Sequence, residues 1–208
     1  SYPFPSPDHS FVYENGDWRA LGPGGVERDG RHPVLAAGSN QSPEQLNRKY
    51  GDNGIDAVIP VQRGRLHDFD VVYAGHLTAY GSVPATFQHS PRTVVDVFVL
   101  WLDDAQLARM HETEGNYTYD HLSDIRLELD GEDQPLAEAY AYTSRVGCLN
   151  FQGACVSLKE IEAQGRVFPA LDQIAALGMV RDRFAPGIDV DEFVRQHLDD
   201  RQIHRDRS

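Results

Sequence analysis

The sequence predicts a mixed α/β (α+β) protein, and three observations carry that expectation. The apolar run Val34-Leu35-Ala36-Ala37 stops at Gly38-Ser39-Asn40 and is followed by Ser42-Pro43-Glu44, which reads as a strand, a glycine loop and a capped helix start. Thr93 to Leu102 (TVVDVFVLWL) is nearly continuous in β-branched and aromatic residues, the pattern of a central strand buried on both faces. After Thr143 the alternation gives way to helical spacing.

At 208 residues the chain is long enough for one well-buried core with appendages and short for two full domains. We therefore expect an irregular N-terminal arm over 1–32, rich in Pro and Gly (Pro3, Pro5, Pro7, then Gly22-Pro23-Gly24-Gly25). A single domain over 33–208 follows, with a helical extension from about 157. Hydrophobic residues at 40% and charged residues at 25% exclude wholesale disorder. The net charge of -13, without any Lys/Arg run, argues against a nucleic-acid partner. No apolar stretch of about 18 residues exists and the first residues lack a basic-then-apolar leader pattern, so a soluble cytoplasmic protein without a membrane partner is expected. Cys148 and Cys155 are too few for a secreted disulfide scaffold and wrongly spaced for a four-ligand zinc site; free thiols in a reducing compartment are expected.

The remaining elements follow in order. Ala57 to Ala79 carries β-branched and aromatic residues broken by Gly64 and His67-Asp68, which predicts two or more strands with turns, and Gly81-Ser82 marks a further bend. Asp103-Asp104 opens a helix with Leu107 and Met110 on one face, ended by Gly115. Tyr117 to Leu129 and Leu136 to Thr143 alternate as strands around the turn Asp130-Gly131-Glu132-Asp133. Helices are expected from Ser157, from Pro169 to Gly178 and from Asp191 to about Arg205, with Asp199 to Arg207 a charged, solvated end.

Four features stand in a telling order: Gly38-Ser39-Asn40 after a strand, Tyr80-Gly81-Ser82-Val83-Pro84-Ala85-Thr86 before a second, the Val94 to Leu102 strand, and His111-Glu112-Thr113-Glu114-Gly115 at a helix end. In that order the chain resembles the γ-glutamylcyclotransferase family over about residues 34–143. The resemblance implies a mixed β-barrel/sheet with surrounding helices, to which this chain adds C-terminal helices. It also implies an enzyme that cyclises a γ-glutamyl amine to 5-oxoproline and a free amine, with Glu114 as the catalytic acid/base and neither metal nor cofactor. A small-molecule amide would be its partner; oligomeric state is left open. Two positions differ from the family pattern: Ala37 replaces the aromatic that usually precedes Gly-Ser, and Met110-His111 replaces Leu-Asp before the Glu.

The residues carry their own logic beside the resemblance. Gly38 lets backbone approach a ligand, and Gly38, Ser39 and Asn40 supply N–H donors suited to a carboxylate or oxyanion. Gly81 and Ser82 are weaker substrate-binding candidates, since a glycine between strands is commonly a bend. Tyr140 and Tyr142 alternate on a strand, where core packing is the plain reading; the family resemblance implies a strand tyrosine near the pocket and makes Tyr142, or Tyr140, a substrate-binding candidate. His111 with Glu114 has metal-ligand spacing but lacks a second His pair, so no metal site is expected. His111 and Glu112 could form a different acid–base pair. A related small-amide hydrolase or lyase, similar to the accessory module of allophanate hydrolase, and a non-catalytic binding module are the alternative functions.

Overall fold

The computed structural model describes residues 2–22, 24–51, 54 and 56–199. Strands β1 (Phe11–Glu14) and β2 (Asp17–Ala20) precede β3 (His32–Ala36) and helix α1 (Pro43–Tyr50). Two long strands follow, β4 (Val58–Tyr73) and β5 (Ala85–Leu102), then α2 (Asp104–Thr113), β6 (Tyr117–Leu129) and β7 (Leu136–Ser144). Short strands β8 (Asn150–Phe151), β9 (Ala154–Cys155), β10 (Ser157–Leu158), β11 (Ala163–Gln164) and β12 (Ala170–Leu171) lead to helices α3 (Gln173–Phe184) and α4 (Val190–Asp199).

Five of these strands close on themselves. β4 pairs with β5, β5 with β3, β3 with β7, β7 with β6 and β6 again with β4, so the sheet forms a barrel of mixed direction in which the β3–β7 contact, Val34 opposite Tyr140, is the parallel one. The fold class is the expected mixed α+β, barrel plus helices. Side-chain alternation explains how one sheet serves two cores. Leu35, Val97, Val99, Trp101, Leu127 and Ala141 join one apolar cluster, to which all five barrel strands contribute. Val34, Ala36, Phe98, Leu100 and Leu102 point the other way, onto Leu46 and Tyr50 of α1 and Leu107 and Met110 of α2. The two-sided burial expected for Thr93 to Leu102 is observed from Val97 onward, while Val94 and Asp96 on one face are half-buried.

Where local signals met tertiary demands, the boundaries moved. The expected break in Ala57–Ala79 is a bulge at His67/Phe69 inside a single bent strand, because β4 stays paired to β5 on both sides of it. Gly64 is kept as glycine by close approach of β6: a Cβ there would meet Glu128 O at 2.4 Å. The irregular arm expected over 1–32 contains the β1–β2 hairpin, which extends the sheet through β4 and buries Phe11 and Tyr13 completely.

The expected helix from Ser157 is instead β10 and an extended segment. Ser157 Oγ donates to Asp70 Oδ2 at 2.6 Å, and Arg166 grips the same fully buried carboxylate through Nε at 2.9 Å and Nη2 at 3.1 Å. The helix expected over Pro169 to Gly178 starts later, where the Asp172 side chain caps the Ala175 N–H at 2.8 Å. It then runs through Gly178, whose cost of about 1 kcal/mol is offset by burying Ala176, Leu177 and Val180. Of the last expected helix, Val190–Asp199 is observed, and 200–205 with most of the charged end lies outside the described residues, as does Pro23 of the arm.

The free-thiol expectation is corrected. Cys148 and Cys155 form a disulfide, seven positions apart with Cα atoms 5.7 Å from each other. A tight turn at Gln152-Gly153 folds β8 against β9 and sets Asn150 opposite Cys155, a closeness that spacing alone does not display. The argument from free thiols to a reducing compartment loses its premise. Among the described residues no helix is long and apolar enough to cross a membrane.

Candidate active site

Two helix ends and one strand end converge beside the barrel. α2 is started by a reciprocal cap, Asp103 accepting from Gln106 N while the Gln106 side chain accepts from Asp103 N, and it ends at Glu114. The Glu114 backbone is tied on both sides: its N–H reaches His111 O at 3.3 Å and its C=O accepts from Tyr117 N at 3.0 Å. The carboxylate is therefore held at a fixed place where α2 turns into β6. From α1, Lys49 Nζ donates to Glu114 Oε1 at 2.5 Å and to Thr113 Oγ1 at 2.9 Å. From the loop after β3, Asn40 Nδ2 donates to the same Oε1 at 3.0 Å. Glu114 Oε2 has no hydrogen-bond partner among the described residues. Both members of the ion pair are shielded, with side-chain exposures of 14% for Lys49 and 11% for Glu114.

A cavity of about 330 Å³ lies against this carboxylate, near the small end of the ligand-pocket range. Its walls are the Gly38-Ser39-Asn40 loop, Pro84 with the start of β5 from Ala85 to Phe87, the end of α2, and the rings of Tyr2, Tyr80, Tyr117 and Tyr142. Three side-chain atoms of its lining residues are buried without a partner: Asn40 Oδ1, Gln45 Nε2 and His76 Nδ1. Buried polar atoms left unpaired cost roughly 1–3 kcal/mol each, so the residues around this cavity carry polar groups that the surrounding packing does not satisfy. The Asn40 amide is oriented by its neighbour, since only the nitrogen can face a carboxylate.

The electrostatics keep the walls neutral and the floor charged. Burial holds the His76 imidazole below its usual range. Burial pushes the phenols of Tyr2, Tyr117 and Tyr142 up, and the negative charge of Glu114 acts in the same direction on Tyr142. All three remain protonated donors. Tyr117 donates to Ala85 O at 3.1 Å, and the Tyr142 hydroxyl meets His111 Nδ1 at 2.7 Å.

Of the residues singled out in the sequence, Gly38, Ser39, Asn40, Glu114 and Tyr142 line this one cavity. Gly81 and Ser82 do not. Gly81, at φ 77°, is covered by Val194 of α4, and the Ser82 N–H donates to Thr78 Oγ1 at 3.1 Å, so the pair forms the turn behind Thr78 and Tyr80, which do line it. His111 faces the tyrosines and Glu112 pairs with Arg109, away from Glu114. Among the described residues, no group of three or more His, Cys, Asp or Glu is placed to hold a metal ion. Sequence reasoning missed Lys49, Gln45, His76 and Tyr2. Gln45 and Lys49 stand four apart on α1 and so share a helix face, a signal that was present; nothing local announces Tyr2 or His76.

The fold and cavity define a barrel protein with a predominantly apolar pocket closed by an acidic helix end. No protein-family model matches the chain, and no curated protein matches it. Among solved structures it is similar to an Arabidopsis thaliana protein determined in solution, at 18% identity and a TM-score of 0.42 over 56% of this chain and 70% of that one. It is similar also to an uncharacterized Homo sapiens protein, at 15% identity and TM-score 0.45 over 80% and 87% of the two chains. A gamma-glutamyl cyclotransferase aligns at 14% identity and TM-score 0.44 over 79% of this chain and 86% of that one.

Proposed function

We propose that this cavity is an active site in which a γ-glutamyl amine is cyclised to 5-oxoproline with release of the amine, Glu114 serving as the acid/base. The supporting observation is the state of one carboxylate: Oε1 is fixed by Lys49 and Asn40, and Oε2 is left for a ligand at a small, mostly apolar cavity that Glu114 lines. In the reaction the substrate's α-nitrogen bonds to its own γ-carbonyl carbon, giving a tetrahedral centre with negative oxygen. Glu114 takes the proton released by the attacking nitrogen and returns it to the departing one as the old C–N bond breaks. One proton moves, no water is consumed, and a single carboxylate suffices. Because both reacting groups belong to one molecule, a cavity that holds the folded conformer draws on effective molarities of about 10⁵ M or more.

Incubation with γ-glutamyl amines and detection of 5-oxoproline tests the reading. Glu114→Gln keeps the shape and the Asn40 neighbour but removes both the base and the partner of Lys49, so turnover should fall by about 10²–10⁴-fold and the thermal midpoint should also drop, the assay being run well below that midpoint. Full turnover in that variant would exclude Glu114 from the chemistry.

A further inference from the structure

The wall of the cavity that Glu114 lines contains a residue from far away in the sequence. Tyr2, at 6% exposure, lies in the same apolar cluster as Ala37 and lines the same cavity. Its hydroxyl oxygen accepts the Ala85 N–H at 2.7 Å, at the first residue of β5. Having accepted there, the phenol still has its own proton to donate.

The close approach to Gly38 ties the two together. A Cβ built at Gly38 would stand 2.4 Å from the Tyr2 hydroxyl and 3.2 Å from Ala85 Cβ, while the Gly38 backbone is not in the left-handed region. Gly38 is therefore explained by the space the phenol needs. Beyond Tyr2, Phe4 packs edge-on against both Tyr2 (6.1 Å) and Tyr80 (5.7 Å), and the Tyr80 hydroxyl meets Ser39 Oγ at 3.1 Å. Arg48 of α1 lies over the Phe4 ring. The contacts run from Ser39 through Tyr80, Phe4 and Tyr2 back to Gly38.

From this we infer that Tyr2 is a built-in pocket residue: it supplies a wall and a hydroxyl donor beside the Gly38-Ser39 loop, and thereby sets which substrates fit. A displaceable plug is the opposing possibility, and two observations weigh against it. Withdrawing Tyr2 would strip a partner from the Ala85 N–H, and the cavity beside Glu114 exists with Tyr2 in place. The inference rests on the reading of the cavity as the substrate site, and specifies that the bound group carries an acceptor oxygen toward the Gly38 loop.

The full chain and its Tyr2→Phe and Tyr2→Ala variants would be titrated with 5-oxoproline and L-glutamine, following the amide NMR signals of Gly38, Ser39 and Ala85. The same proteins would be assayed on γ-glutamyl amines of increasing amine size. Tyr2→Phe, which keeps the ring, should weaken probe binding about tenfold and raise KM more than it lowers kcat. Tyr2→Ala should weaken binding further and admit larger amines. Unchanged affinity and size range in Tyr2→Phe, or no probe reaching these amides in any of the proteins, overturns the inference; Tyr2→Phe decides alone if Tyr2→Ala fails to fold. Probes that bind in a Tyr2-dependent way without any 5-oxoproline release would sink the cyclisation and leave Tyr2 standing. Release that ignores Tyr2 would do the reverse.

Discussion

Lys49 is one of two lysines in a chain whose other cations are arginines, and it is spent on a shielded ion pair. Its ammonium neutralises Glu114 where two helix ends meet, and Arg109 Nε holds the Lys49 carbonyl at 2.8 Å, locking α1 to α2. Removing one member of such a pair leaves the other without compensation. Lys49→Met should destabilise the protein by about 3 kcal/mol in denaturant titration, and the double variant Lys49→Met/Glu114→Gln should recover much of that loss. Equal stability of the single variant and the parent would mean that solvent already screens the pair. Glu114 itself was legible in the sequence because its Glu-Gly follows a helix after the most apolar strand. Lys49 was not, since a cation in the last turn of a short helix looks like an ordinary partner of the helix dipole. Only the packing of α1 on α2 gives it a different neighbour.

At the scale of elements, the strand and helix starts with strong local chemistry were readable: the Pro43 start of α1, the Asp103 cap of α2, the alternation of β6 and β7. The stretch from Cys148 to Asp172 was not. Its strands are two residues long, too short for any periodicity, and they are fixed by a buried carboxylate on β4 and by a disulfide. The disulfide closes a small loop, and chain-entropy arguments give a loop of this size about 2 kcal/mol of stabilisation. Cys148→Ser/Cys155→Ser, or the parent under reductant, should lose about that much in urea unfolding. Leu149 N–H donates to Tyr73 O at 2.7 Å, so the loosened segment should be that flanking the end of β4, with amide exchange rising there first. Loss of stability without local exchange would place the effect in the unfolded chain instead.

For the whole molecule, seven of nine tyrosines have phenols pushed up, in each case chiefly by burial. A group whose folded pKa is raised contributes stability that is full below its ordinary value and is lost as pH climbs toward the raised one. Stability should therefore hold through neutrality and fall above about pH 10, with tyrosinate absorbance from the buried rings appearing together with unfolding. Absorbance that rises while the fold persists would show these rings to be reached by solvent. The barrel could be read in its parts, because two-sided burial of β5 leaves a sequence trace. Its closure could not, because the pairing of β3 with β7 depends on register between strands that no local pattern encodes.

That same closure gives the molecule a timetable. β4 and β5 are neighbours in the chain and can zip from Tyr73 opposite Ala85 as soon as both exist, whereas β3 must wait for β7, synthesised long after it. The Gly38 loop hangs from β3, Tyr142 belongs to β7, and Tyr2 docks on the first residue of β5, so the cavity is assembled from the latest contacts rather than the earliest. In refolding, burial of Trp101 on β5 should precede recovery of 5-oxoproline binding. Simultaneous recovery would mean that the barrel closes in one step.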